Sequence, residues 1–151
     1  MERLGTLLAA AALLCGACRG APARTQAAAA GQEAAFMDTE WKGQFSGALQ
    51  GSRRVVRSEA EWRQVWAEIG QAVPAAPDFK SLVAAAVFLG QRSTGGFGVK
   101  WLEPDLSGPA LVLRYKEIRP RGMTMQVLTQ PFAVKLFPRT AADIRLEEQP
   151  D

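Results

Sequence analysis

The side chains that most often perform chemistry in proteins are scarce in this chain. It contains no histidine, which removes the usual general base, the Ser-His and Cys-His nucleophile pairs and the commonest metal ligand. Its only cysteines are Cys15 and Cys18, so the later part of the chain can form neither a disulfide nor a cysteine zinc site. Neither Ser-x-x-Lys nor Gly-x-Ser-x-Gly occurs. We therefore predict a protein that is not an enzyme and holds no metal or cofactor.

The two cysteines follow a segment with the proportions of a secretory signal. Arg3 precedes the apolar run Leu4–Leu14, which is shorter than the about 20 apolar residues of a transmembrane helix. Small residues immediately before Cys18 resemble a lipobox, so Cys18 is the predicted lipidation site, although Cys15 stands where that pattern usually has leucine. Ordinary signal cleavage after Ala23 is the alternative.

Composition divides the chain into four parts. Residues 1–18 are the predicted signal peptide with its lipobox. Residues 19–35 form an Ala-rich flexible tether, because they contain no Leu, Ile, Val or aromatic residue with which to build a core. Residues 36–138 form one folded domain, and the charged residues 139–151 form a frayed tail or a short helix. We expect an exported protein, anchored by lipid in the cell envelope on the periplasmic or outer face.

Two segments of the domain offer groups suited to binding. The loop Gly90–Gly98 carries paired glycines, which let a partner approach the backbone closely. A hairpin turn whose glycines adopt positive φ explains the same residues. A basic cluster on and after the strand around Arg114 fits an acidic protein surface or anionic lipid headgroups, and a solvated strand face explains it equally well. The candidate partner-binding residues are Arg92, Thr94, Gly95, Gly96, Phe97, Arg119, Pro120 and Arg121.

A helix and several strands must position these loops. Ser58–Gly70 opens with a capping box, continues with an apolar stripe at helical spacing and ends at glycine. Leu82–Leu89 is a continuous apolar run of strand length, and later segments, including Met123–Thr129, alternate as half-buried strands do. Their connections are too short for parallel crossovers. The sequence predicts an α+β domain with one main amphipathic helix packed on a four- to five-stranded, mostly antiparallel sheet.

Three segments together resemble the PrcB-type protease complex subunit family, a small family of bacterial envelope proteins. They are Val56–Trp66, Pro77–Phe97, and Pro120 with Gln126–Phe132, and they cover roughly residues 55–138. Phe97 stands where the family often has tyrosine. The resemblance implies an envelope lipoprotein associated with an exported protease complex, and it brings no catalytic residues.

These observations predict a non-catalytic binding module that recruits, stabilises or inhibits an exported protease complex. Its expected partners are the membrane, through the lipid anchor, and a secreted or periplasmic protease or another protein. One alternative is a structural envelope lipoprotein with no single client; another is an enzyme lacking histidine that uses Asp78, Ser93 and Lys100. The net charge of +3, with both signs mixed along the chain, argues against nucleic acid.

Overall fold

The computed structural model describes residues 39–150, which form an α+β fold. The predicted signal peptide, Cys18 and the tether lie outside this range. Within it, no helix is both long and apolar enough to cross a membrane. The elements in chain order are β1 (Glu40–Gly43), β2 (Ser52–Val56), the helix (Glu59–Ile69), β3 (Leu82–Phe88), β4 (Gly98–Trp101), β5 (Ala110–Ile118), β6 (Phe132–Pro138) and β7 (Asp143–Glu148).

The strands form two sheets, so the expectation of a single four- to five-stranded sheet is wrong. The first sheet has the order β1-β6-β3-β2 and is antiparallel throughout. The second has the order β4-β5-β7, in which β4 and β5 are antiparallel and β5 and β7 are parallel. The predicted α+β class and mostly antiparallel pairing are confirmed.

Strand β3 lies at the centre of a three-layer arrangement. All of its residues are buried, because the helix covers one face of the first sheet and the second sheet covers the other. Ala84 and Ala86 belong to the core on the helix side, whereas Val83 and Ala85 pack with Leu113 of the second sheet. Burial on both faces explains why this strand is continuously apolar instead of alternating.

The helix starts and ends where the sequence predicts. Ser58 and Glu61 form a reciprocal capping box, and Gly70 closes the helix at φ 76°. The buried residues are those of the predicted apolar stripe: Trp62, Val65, Trp66 and Ile69. With 11 residues it is a short element, however, and not the main helix that was expected.

The C-terminal segment contains a strand where we expected a frayed tail or a short helix. Asp143–Glu148 form β7, whose Ile144 and Leu146 pack against the core beneath the second sheet. The exposed residues Asp143, Arg145 and Glu147 alternate with these apolar ones. This is the period-two pattern of a half-buried strand, hidden in the sequence by the density of charge.

Candidate functional site

The two candidate binding segments lie side by side, on a first loop, Gly90–Phe97, and a second loop, Arg119–Pro131. Antiparallel pairing of β3 with β6 places Phe88 opposite Phe132, so both loops leave the first sheet at the same end. The first loop crosses from β3 in one sheet to β4 in the other. The hairpin interpretation is therefore wrong, although Gly90 and Gly96 do adopt positive φ.

Backbone hydrogen bonds join the two loops. The amide of Arg92 donates to the carbonyl of Thr129 at 2.8 Å, and the amide of Thr129 donates back at 3.0 Å. The amide of Gly95 donates to the carbonyl of Met125 at 3.0 Å. The buried Thr129 adds its hydroxyl, which donates to the carbonyl of Thr94 at 2.9 Å. The loops therefore form one connected unit.

Close packing of Gly96 against Pro120 is a further contact between the two loops. Gly96 has φ 88°, and a Cβ built on it would lie 2.9 Å from the Cβ of Pro120. Real Cβ atoms essentially never approach so closely, and positive φ is costly for residues other than glycine. Glycine at position 96 is thus required by both the backbone and its neighbour.

Arg92 is held by a carboxylate and a ring. Its guanidinium lies 3.0 Å from the carboxylate of Glu117 and 5.4 Å from the ring centroid of Phe97. Arg119 approaches the same carboxylate at 3.4 Å. The side chain of Glu117 is only 12% exposed, whereas that of Arg92 is 29% exposed, so the carboxylate is the more buried partner of this ion pair. Of the predicted binding residues, Arg92 and Phe97 therefore hold the first loop in place.

A group of exposed apolar side chains beside these loops was missed as a site by the sequence reasoning. Met123 is fully exposed, and Met125, Phe45 and Val127 are 77%, 59% and 37% exposed. Together with Gly95 and Gly96 they line a groove of about 490 Å³, here called the methionine groove. Contiguous exposed apolar surface of this kind marks interaction sites in soluble domains.

The segment that carries the two methionines is not the strand that its alternation predicts. Met123–Thr129 is irregular apart from a single bridge at Thr129. Gly122 has φ 88°, and the amide of Val127 donates to the carbonyl of Met125 at 3.0 Å, which closes a tight turn. The turn leaves the apolar side chains on the surface.

A second groove, of about 540 Å³, is lined by Gly96 and Pro120. We call it the basic groove, because Lys100, Lys116, Arg119 and Arg121 line it. The predicted residues Arg119, Pro120 and Arg121 thus join the first loop at one site. Arg114, which we grouped with the basic cluster, instead forms an ion pair with Asp105 at 2.6 Å.

Among the groups considered for catalysis, Asp78 makes structural contacts. The carboxylate of Asp78 accepts a hydrogen bond from the amide of Lys80 at 3.0 Å and one from the hydroxyl of Ser81 at 3.2 Å, as in an Asx turn. Burial raises the pKa of Tyr115, so its phenol stays neutral well beyond physiological pH. Residues 39–150 contain no group of three or more acidic, histidine or cysteine side chains placed to hold a metal ion.

Comparison with known proteins gives a family match, which covers the segment from β3 to β6. Residues 83–137 match the family model described as PrcB C-terminal, which confirms the predicted resemblance. The match runs from β3 to β6 and includes both loops. No curated protein and no solved structure matches the chain significantly.

Proposed function

Taking residues 83–137 as a PrcB C-terminal segment, we propose that the protein is a non-catalytic accessory subunit that binds an exported protease complex. The family supports the class of function, an accessory subunit of a protease complex. The observation that carries the binding role is the methionine groove, whose large apolar side chains are exposed next to a rigid pair of loops.

The chemistry of the groove suits a protein partner. Methionine side chains are flexible and polarisable, so they adapt to the shape of an apolar residue placed against them. Beneath them, the hydrogen bonds of Arg92, Gly95 and Thr129 fix the backbone before any partner arrives. A surface ordered in advance loses little conformational entropy on binding.

We also propose that the subunit acts from the envelope, lipidated at Cys18 and separated from its anchor by residues 19–35. The support is the sequence of the N-terminal segment: a basic residue, an apolar run and a small pair before cysteine. A flexible tether would let the methionine groove meet a partner held near the same membrane.

The proposal is tested by capturing the tagged full-length protein from detergent-solubilised membranes of its host. We expect a protease to be recovered stoichiometrically with the wild type. The Met123→Asp/Met125→Asp double variant should recover at least about tenfold less, because its carboxylates would be buried without partners. Leu106→Asp is the matched control, since Leu106 is 67% exposed and lies outside the methionine groove; its recovery should equal that of the wild type.

Two outcomes would count against the proposal. Recovery of no protease with the wild type removes the assigned partner, and equal recovery with the double variant removes the assigned surface. A deletion strain distinguishes the proposed function from the alternative. A general envelope defect with unchanged protease activity would favour a structural lipoprotein with no single client.

A further inference from the structure

We infer that the partner segment bound in the methionine groove carries carboxylates beside its apolar residues, and that these carboxylates bind in the basic groove. This inference rests on the proposed function, which it deepens by naming the chemistry of the partner. The expected ligand is an extended peptide segment that is both apolar and acidic.

The two grooves are adjacent parts of one surface. Gly96 lines both of them, and Pro120, in close contact with Gly96, lines the basic groove. With volumes of about 490 and 540 Å³, each lies within the range of pockets that accept side chains or small ligands. A single segment that passes over Gly96 can therefore place apolar residues in one groove and acidic ones in the other.

The charge exposed in the basic groove has one sign. Glu117 is the one carboxylate among its lining residues. Its side chain is only 12% exposed and already pairs with Arg92 and Arg119. Lys100 and Arg121, by contrast, are exposed. Positive surface of this kind favours and orients carboxylate-bearing partners, mainly through the association rate.

The division of the surface favours a peptide over a lipid bilayer. The cations line one groove and the methionines line the other. This separation fits alternating blocks of apolar and acidic residues along one peptide.

The test uses the purified full-length chain and a phage-displayed library of random dodecapeptides. We expect the selected peptides to combine Asp or Glu with a neighbouring aromatic or aliphatic residue. Affinity for a selected peptide should fall at least tenfold in Lys100→Glu/Arg121→Glu and less in Lys100→Gln/Arg121→Gln. The matched control is Arg57→Glu/Lys80→Glu, which changes the charge equally at two exposed positions away from the groove and should leave affinity unchanged.

The result overturns the inference if no peptides are enriched, if their consensus lacks acidic residues, or if the charge reversal leaves affinity intact. Vesicles of phosphatidylglycerol and phosphatidylcholine provide a second arm, with the Cys18→Ser chain used to prevent anchoring by lipid. Binding to these vesicles that depends on Lys100 and Arg121, without peptide binding, would assign the groove to lipid headgroups instead. Protease capture that is insensitive to the charge reversal would leave the proposed function standing and remove only this inference.

Discussion

Replacing Gly96 by alanine tests whether the close contact between Gly96 and Pro120 depends on glycine. The chain offers two matched controls. Gly122 has the same φ of 88° but nothing within 4 Å of the position of a Cβ. Gly108 has open space as well, and its φ lies outside the positive region. The three substitutions therefore separate the effect of the unfolded chain, the effect of positive φ and the effect of the contact with Pro120.

The expected free energies follow from these differences. Gly108→Ala should stabilise the fold by about 0.4–1 kcal/mol, because alanine lowers the conformational entropy of the unfolded chain. Gly122→Ala gains the same stability from the unfolded chain but loses about 1–2 kcal/mol because alanine disfavours positive φ, so it should be slightly less stable than the wild type. Gly96→Ala adds the contact of 2.9 Å with Pro120, and overpacking of this type costs about 1–3 kcal/mol. Its net destabilisation should be about 2–3 kcal/mol.

Urea denaturation followed by tryptophan fluorescence measures all three variants against the wild type. The order of stability should be Gly108→Ala, then Gly122→Ala, then Gly96→Ala, with the last two separated by at least about 1 kcal/mol. Equal stability of Gly96→Ala and Gly122→Ala would refute the reasoning, since it would show that Pro120 moves away at no cost. Peptide affinity at the two grooves should fall in Gly96→Ala and stay unchanged in Gly108→Ala.

Three further outcomes are expected. In urea denaturation, Trp62→Phe should destabilise the fold by about 1 kcal/mol more than Trp66→Phe. The Trp62 indole donates a hydrogen bond to a backbone carbonyl at 3.2 Å, whereas the Trp66 indole is buried with no partner among the described residues. Equal losses of stability in the two variants would contradict this reasoning. Tyr115 is the only tyrosine, so absorbance titration should show its phenol ionising above the usual pKa in the folded protein and at the usual pKa in urea. The neutral phenol of Tyr115 therefore stabilises the fold fully below about pH 10, and this stabilisation is lost as pH rises through the raised pKa. Tyr115→Phe should reduce the loss of stability at alkaline pH. Thr129→Val should lower the stability of the fold by about 1–3 kcal/mol, because it leaves the carbonyl of Thr94 without its donor. The control Thr124→Val, in the same loop, should change stability by less than about 0.5 kcal/mol.

Local signals made the helix predictable from the sequence. Its capping box and its terminal Gly70 act within a single turn of the chain, so their geometry does not depend on the rest of the fold. The apolar spacing of Trp62 and Trp66 then identifies the buried face without any knowledge of what covers it.

The second sheet could not be predicted in the same way. Alternation in β5 indicates that one face of the strand is buried. It does not indicate whether the helix or another sheet packs against that face. The clue was the unbroken apolar run of β3, which requires a cover on each face. Met123–Thr129 shows the opposite error, since it alternates like a strand yet pairs only at Thr129.

The sequence predicts which residues of the first and second loops belong to the candidate site, but not that the two loops lie side by side. Its glycines and basic residues stand out by type, and they were selected for that reason. The adjacency of the two loops depends on the register that places Phe88 opposite Phe132, which is a long-range pairing. The methionine groove follows from that adjacency, because Phe45 joins Met123 and Met125 only in the folded chain.

The position of β3 between two layers also determines how the domain comes apart. The strand belongs to the core under the helix and to the core under the second sheet, and Leu82–Phe88 contains no charged residue. Peeling away either layer would expose one face of this strand to water, so neither layer is stable alone and the two should unfold in one cooperative transition. The amides of β3 should then exchange with solvent hydrogen only when the whole domain opens.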